Sequence, residues 1–227
     1  MIQERYRMNC NAISSEEMQV LKRAKVCVVG CGGLGGHVIE LLARLGMGHL
    51  VAVDGDAFAR SNLNRQLLCL ESSLGGNKAE EAVIRVNQVN SEVKIDAHCL
   101  YMDEGNAARL LSGCDLAVDA LDNVESRLVL EDACAQKGIP LIHGAIGGWC
   151  GQVALVMPGS GLLRKIYGRG TPKGEESTLG NPSFIPAHIA SIQVAECVKT
   201  LLGKKSFLSG GVLQADLLAG NFDIIDF

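Results

Sequence analysis

The run VDGDAFARSNLNRQLL, residues 53–68, follows VCVVGCGGLGG, residues 26–36. The earlier segment is an apolar strand, a glycine-rich turn and the start of a helix, so Gly30-x-Gly32-x-x-Gly35 has the setting of a nucleotide-binding turn. Its glycines, Gly33 included, let the backbone turn sharply and come close to a phosphate. The helix N-terminus adds free N–H groups and the positive end of a dipole. Asp54 closes the second strand, where a carboxylate binds ribose hydroxyls. The plain alternative is a glycine-rich turn with a capping Asp. This motif does not separate NAD from ATP, and alone it would make a dehydrogenase the default.

The polar run beyond Asp54 shifts the balance. Asn62, Asn64, Arg65 and Gln66 crowd into SNLNRQ, an element dehydrogenases do not generally need. When an acyl group attacks the α-phosphate of a nucleoside triphosphate, negative charge grows on the pyrophosphate leaving group, and fixed cations and amide donors stabilise it. Arg65 is a planar, permanently charged donor suited to phosphate oxygens. Asn62 and Gln66 add neutral donors, and Lys78, in GGNK at the start of the next helix, adds a second cation. A lone Arg or Lys is ordinarily solvated surface, and it is the spacing of the whole set that argues otherwise. VDALDN, residues 118–123, ends a further strand and brings Asp119 and Asp122 to the carboxyl edge of the sheet, where ligands bind in open α/β folds. Asp122 either caps the helix starting near Asn123 or holds Mg²⁺, which takes carboxylate and phosphate oxygens. Beside Arg65 and Lys78 the second reading is preferred. Asp119 reads as structural, and Asp56 as support for Asp54 or for the metal.

Around these motifs, helices at Ser14–Arg23, Leu34–Leu45, Lys78–Val89, Asn106–Leu111 and Glu125–Gln136 alternate with apolar strands at Val26–Val29, Leu50–Val53, Val93–Ala97, Leu116–Ala120, Leu141–His143 and Gln152–Val156. That order predicts an α/β fold, a doubly wound Rossmann-like sheet that is mostly parallel. Residues 158–182, rich in Gly, Pro and charge, read as a long mobile crossover loop. A helix over Pro186–Leu202 and two antiparallel strands, Val212–Asp216 and Phe222–Ile225, close the chain. The expectation is one domain over residues 1–227, with residues 1–24 as an N-terminal arm and helix. The 227 residues carry a formal charge of −4 and no block of Lys and Arg, so neither DNA nor a membrane surface is expected as a partner. Nine Cys without CxxC spacing suggest a reducing, cytoplasmic setting rather than a disulfide framework. No signal peptide or membrane span is read from the sequence.

Taken together, RY at residues 5–6, GCGGLGG, VDGD, SNLNRQ, GGNK, VDALDN and SIQVAECVKTLLG, residues 191–203, resemble the ThiF/MoeB/HesA family of ubiquitin-activating-enzyme-like adenylyltransferases. The resemblance covers nearly the whole chain. It implies a homodimeric ATP-binding fold and adenylation of the C-terminal glycine of a small ubiquitin-like sulfur-carrier protein ending in Gly-Gly. By position it implies Asp54 as ribose ligand, Arg65 and Lys78 as phosphate clamp, Asp122 as Mg²⁺ ligand, and Asn62 and Gln66 as further nucleotide contacts. Three departures qualify it. The two CxxC pairs that bind structural zinc in many members are missing, the first region reading GLLRKIYG, so no zinc is expected. Residues 158–182 hold no Cys able to form the covalent intermediate of some members. The Arg that often stands two residues after RY is replaced by Met8, so Arg5 or Arg7 would have to reach the partner's site.

His143, at a strand end on the same edge, reads as a structural histidine. Trp149 reads as core, with a grip on the carrier's tail as the alternative, and Cys150 in GGWCGQ is the one cysteine with a conceivable covalent role. The competing functions are a family member acting on a tRNA-borne or other carboxylate, an NAD-dependent oxidoreductase, and a binding protein with a degenerate site. The charge balance argues against a tRNA-borne carboxylate, Arg65, Lys78 and Asp122 against the oxidoreductase, and the complete residue set against the degenerate site.

Overall fold

A computed structural model describes residues 3–168 and 179–227. Its eight strands form one sheet in the order β3-β2-β1-β4-β5-β6-β7-β8. β1 (Lys25–Val29), β2 (His49–Val53), β3 (Lys94–His98), β4 (Leu116–Asp119) and β5 (Leu141–Gly147) run parallel. β6 (Cys150–Val156), β7 (Gly211–Asp216) and β8 (Asn221–Asp226) complete it antiparallel. The central strands are buried on both faces, as their unbroken apolar runs require. α1 (Ser15–Arg23), α2 (Gly33–Leu45), α3 (Lys78–Val89) and α7 (Phe184–Leu201) pack on one face. The short α4 (Ala107–Leu110), α5 (Val124–Lys137) and α6 (Leu162–Tyr167) pack on the other. Strand order reverses between β1 and β4, and the crevice beyond their carboxyl ends is where such sheets bind ligands.

The local signals act as expected. Ser14 and Glu17 form a reciprocal capping box at the start of α1, and Gly138 ends α5 in the left-handed conformation at φ 68°.

The chain departs from expectation in three places. β5 runs on through Gly147 and β6 begins at Cys150, so GAIGGWC is a hairpin rather than two short strands. Its glycines are poor strand formers, but α7 lies directly against them. A Cβ at Gly144 would stand 2.4 Å from Gln193 Cδ, and one at Gly151 would stand 2.3 Å from Ile189 Cγ1. Residues 158–182 are not loop throughout. Leu162 and Leu163 are buried, and the Leu163 N–H at the start of α6 donates to Glu131 Oε1 at 2.8 Å. Two basic residues of that segment, Arg169 and Lys173, lie outside the described residues. Trp149 is not core. It is 44% exposed and packs its ring 4.7 Å from that of Phe184.

Candidate active site

An open cleft of about 910 Å³, counted out into solvent, sits at the β1/β4 crevice. Gly30, Gly32, Gly33, Asp54, Asp56, Arg65, Gln66, Lys78 and Asp122 all line it, although they come from four separate stretches of sequence.

The glycine turn is steric before it is functional. Gly30 has φ +93° and its missing Cβ would lie 2.5 Å from the Ala120 carbonyl oxygen, while a Cβ on Gly35 would lie 1.7 Å from Gly30 O. Gly32 and Gly33 meet nothing closer than 3.5 Å, so their contribution is open space at the N-terminus of α2.

Asp54 ends β2. Its Oδ2 accepts the Cys31 N–H at 2.7 Å and its Oδ1 the Asp56 N–H at 2.8 Å. Burial pushes its carboxyl above the usual carboxylate range, against the pull of the nearby Lys78 ammonium and these two bonds. Asp56 takes the opposite path. Burial works against its ionised form, but bonds from Lys78 Nζ at 2.8 Å and from the Tyr101 hydroxyl at 2.5 Å outweigh this and hold it below its ordinary value. Lys78, at the first turn of α3, is thus a buried cation paired with Asp56 at the wall of the cleft.

Arg65 is placed by the turn that carries it. Its Nη1 donates to Ser61 O at 3.2 Å and to Asn64 Oδ1 at 3.0 Å, and Asn64 Nδ2 donates in turn to Asn181 O at 3.2 Å. Asn62 stands apart from the cleft lining, its Oδ1 accepting the Ala59 N–H at 2.9 Å. Gln66 is buried, with no partner for its Oε1 among the described residues.

Asp122 lines the cleft, and the capping alternative falls away. The N-cap of α5 is Asn123, whose Oδ1 accepts the Ser126 N–H at 2.9 Å. The approach to Asp122 is held from behind by a buried polar group. Asp119 Oδ1 accepts the Leu121 N–H at 2.9 Å and Arg127 Nη2 donates to Leu121 O at 2.6 Å. His143 Nδ1 donates to Asp119 Oδ2 at 2.6 Å, and its Nε2 receives the Tyr167 hydroxyl at 3.0 Å and the Gln152 amide at 3.1 Å. Burial drives the imidazole pKa down, so it serves as a neutral relay of hydrogen bonds. Asp119 and His143 are fully buried and hydrogen-bonded to each other behind the cleft.

The donor set fits a magnesium nucleotide. Among the described residues no three His, Cys, Asp or Glu side chains are grouped to share a metal ion. A cation here would rest on Asp122 and on phosphate oxygens, which is how Mg²⁺ is commonly held. Tyr101 and Asn181 also line the cleft. Tyr101 follows a strand end on the ligand side of the sheet, which was a usable signal. Asn181 sits beyond a segment with no periodicity at all and gave none.

With this geometry in place, comparison with known proteins defines the class. The ThiF family matches over residues 5–227. The SAMP-activating enzyme E1 of Haloferax volcanii is 35% identical over 210 residues, covering 91% of this chain and 78% of that protein. The sulfur carrier protein adenylyltransferase of Thermus thermophilus is 34% identical over 219 residues, covering 92% and 81%. Among solved structures, E. coli MccB with ATP superposes with a TM-score of 0.81 at 22% identity, over 99% of this chain and 72% of that one; at that identity it speaks for the fold. The chain belongs to the ThiF family and to its adenylyltransferase class. No described helix is long and apolar enough to cross a membrane.

Proposed function

We propose that this protein uses ATP to activate the C-terminal glycine carboxylate of a small ubiquitin-like sulfur-carrier protein, forming an acyl-adenylate and releasing pyrophosphate. The observation that carries the reading is the convergence on one cleft of Asp54, Arg65, Lys78 and Asp122 behind a glycine turn. An NAD site has no use for the last three.

In this reading Asp54 accepts the ribose hydroxyls, while the turn and the N-terminus of α2 receive phosphate oxygens. The carrier's carboxylate oxygen attacks the α-phosphorus, the bond to the bridging oxygen breaks, and pyrophosphate leaves with the electron pair. Arg65 and Lys78 face the charge that develops on it, which makes them transition-state stabilisers more than ground-state binders. Mg²⁺, when bound through Asp122, neutralises phosphate charge. The Asp56 carboxylate holds Lys78 Nζ at the wall of the cleft before substrate arrives.

The working unit we infer is a cytoplasmic homodimer. Arg5 is tied by hydrogen bond to Asn90 of its own chain, which leaves Arg7, exposed at the end of the first helical turn, as the arm residue available to a partner's cleft.

Calorimetry with Mg–ATP and with NAD, followed by carrier-dependent exchange of pyrophosphate into ATP, tests the proposal. Heat on binding ATP and none with NAD is expected. Tight NAD binding without an ATP signal would refute it.

A further inference from the structure

Two buried acceptors at the cleft have no donor. Gln66 is 7% exposed and Asn181 is half-buried, and neither Gln66 Oε1 nor Asn181 Oδ1, each itself shielded from solvent, has a partner among the described residues. Both residues line the cleft. Asn181 is placed there firmly. Its own carbonyl receives Asn64 Nδ2 at 3.2 Å, and the Gly180 carbonyl beside it receives the Gly148 N–H at 2.8 Å. This short segment is therefore stitched between the arm carrying Arg65 and the β5–β6 hairpin.

A buried carbonyl oxygen left unpaired is costly, so a ligand that brings hydrogen-bond donors, such as the N–H groups of a peptide, would complete this site. Phosphate oxygens cannot supply them. With the ribose on Asp54 as proposed, the adenine amine would lie away from this end of the cleft. The Gln66 side chain lies over Gly32, 3.5 Å from where its Cβ would be, at the phosphate turn, whereas Asp54 and the apolar Leu100 and Met102 lie toward β3.

We propose that Asn181, assisted by Gln66, binds the main chain of the acyl substrate, its side-chain oxygen accepting a backbone N–H of the extended C-terminal tail. This rests on the reading that the substrate is a protein ending in glycine. The α-phosphate end is the place such a tail must reach, and the path to it is suited to one. Gly147 and Gly148 offer no side chains, and exposed Trp149, Phe184 and Leu179 flank them. The accepting oxygen sets the depth at which the carboxylate arrives.

The test uses a semisynthetic ubiquitin-fold carrier ending in Gly-Gly, with wild-type enzyme and Asn181→Ala. The variant should raise the carrier KM in pyrophosphate exchange about 3- to 10-fold, the scale of one hydrogen bond, and leave calorimetric Mg–ATP affinity within about twofold. Carriers N-methylated at one terminal amide at a time supply the second arm. At the amide that Asn181 receives, methylation should slow the wild-type enzyme by a similar factor and cost Asn181→Ala nothing further, as a coupled pair requires. The methylation series on wild-type enzyme stands even if the variant folds poorly. An unchanged carrier KM, or a loss confined to ATP affinity, overturns the assignment while the adenylation reading stands. Wild-type enzyme that binds ATP but exchanges no pyrophosphate with this carrier overturns the substrate reading, and the assignment with it.

Discussion

Gly33 and Gly35 stand two residues apart in the first turn of α2, and alanine at each should move stability in opposite directions. In a helix Ala is favoured over Gly by about 1 kcal/mol. At Gly33 nothing opposes this, since the new Cβ would lie 3.5 Å from Pro186 Cβ and 3.9 Å from Ile146 Cδ1, both ordinary contacts. Gly33→Ala should therefore be neutral or stabilising by up to about 1 kcal/mol, which is about 2–4 °C in Tm for a domain of this size. At Gly35 the Cβ would sit 1.7 Å from Gly30 O and 2.8 Å from Gly30 C. The obstacle is backbone, and that backbone is itself trapped, because Gly30 is pressed on Ala120 O. Relief must push α2 off β1 or open the turn. Overpacking of this kind costs about 3 kcal/mol or more after the helical gain is set against it, or roughly 6–12 °C. ATP binding should fail as well, because the displaced atoms belong to the turn proposed to receive the phosphates. Differential scanning fluorimetry and Mg–ATP calorimetry on the two variants measure this. A Gly35→Ala protein with the wild-type melting temperature and ATP affinity would refute the steric account of the turn.

Arg65→Ala and Lys78→Ala should each slow pyrophosphate exchange roughly 10²- to 10³-fold, the scale for one preorganised charge-stabilising donor; Asp122→Ala should also raise the Mg²⁺ concentration needed for half-maximal rate. Wild-type rates in all three would place the chemistry elsewhere. Glu40 of α2 is buried, which works against its ionised form, yet bonds from Arg85 of α3 and from Arg44 hold its carboxyl below the usual glutamate value. A depressed folded-state pKa contributes stability that is present above the unfolded value and lost as pH falls through the folded one, so Glu40→Gln should melt below wild type at pH 7, by about 1–3 kcal/mol, and the gap should close in acid. Chemical denaturation at several pH values reads it, and a gap independent of pH counts against the ion-pair account. Finally, no enzyme–carrier thioester should form. Cys31 in the turn is buried and its thiol pushed up by that burial, as is Cys197; Cys99 and Cys150 are exposed, and a reducible adduct on non-reducing gels that Cys150→Ser or Cys99→Ser abolishes would overturn this.

How much of the fold and site is legible in the sequence depends on whether the information is local. The turn at Gly30, the capping box at Ser14 and the helical spacing of α3 are short-range devices, and each forms where its residues stand. SNLNRQ points to the cleft because its polar residue types stand together, and Arg65 and Gln66 of that run do line it. The departures are all long-range. The glycines of the β5–β6 hairpin look like loop until Gln193 and Ile189 of α7 are seen to occupy the space their side chains would fill. Leu162 and Leu163 become a helix because Glu131, on α5, caps it. Trp149 suggests core by the habit of its residue type, yet it lies on the rim with Phe184, where an apolar ring needs a partner to cover it. Asn64 is the instructive case. The sequence flags it as part of a polar run with no task of its own, and only the fold reveals that it joins Arg65 to Asn181, a residue that no motif or periodicity marks. A site assembled from four distant stretches is bound together by such bridges, and these are what a linear reading cannot supply. The nucleotide end can be read because its residues cluster in motifs. The proposed tail end rests on Asn181 and the hairpin, which are distant in sequence and adjacent only in the fold, so the proposal for the acyl-substrate side could be drawn only from the three-dimensional structure.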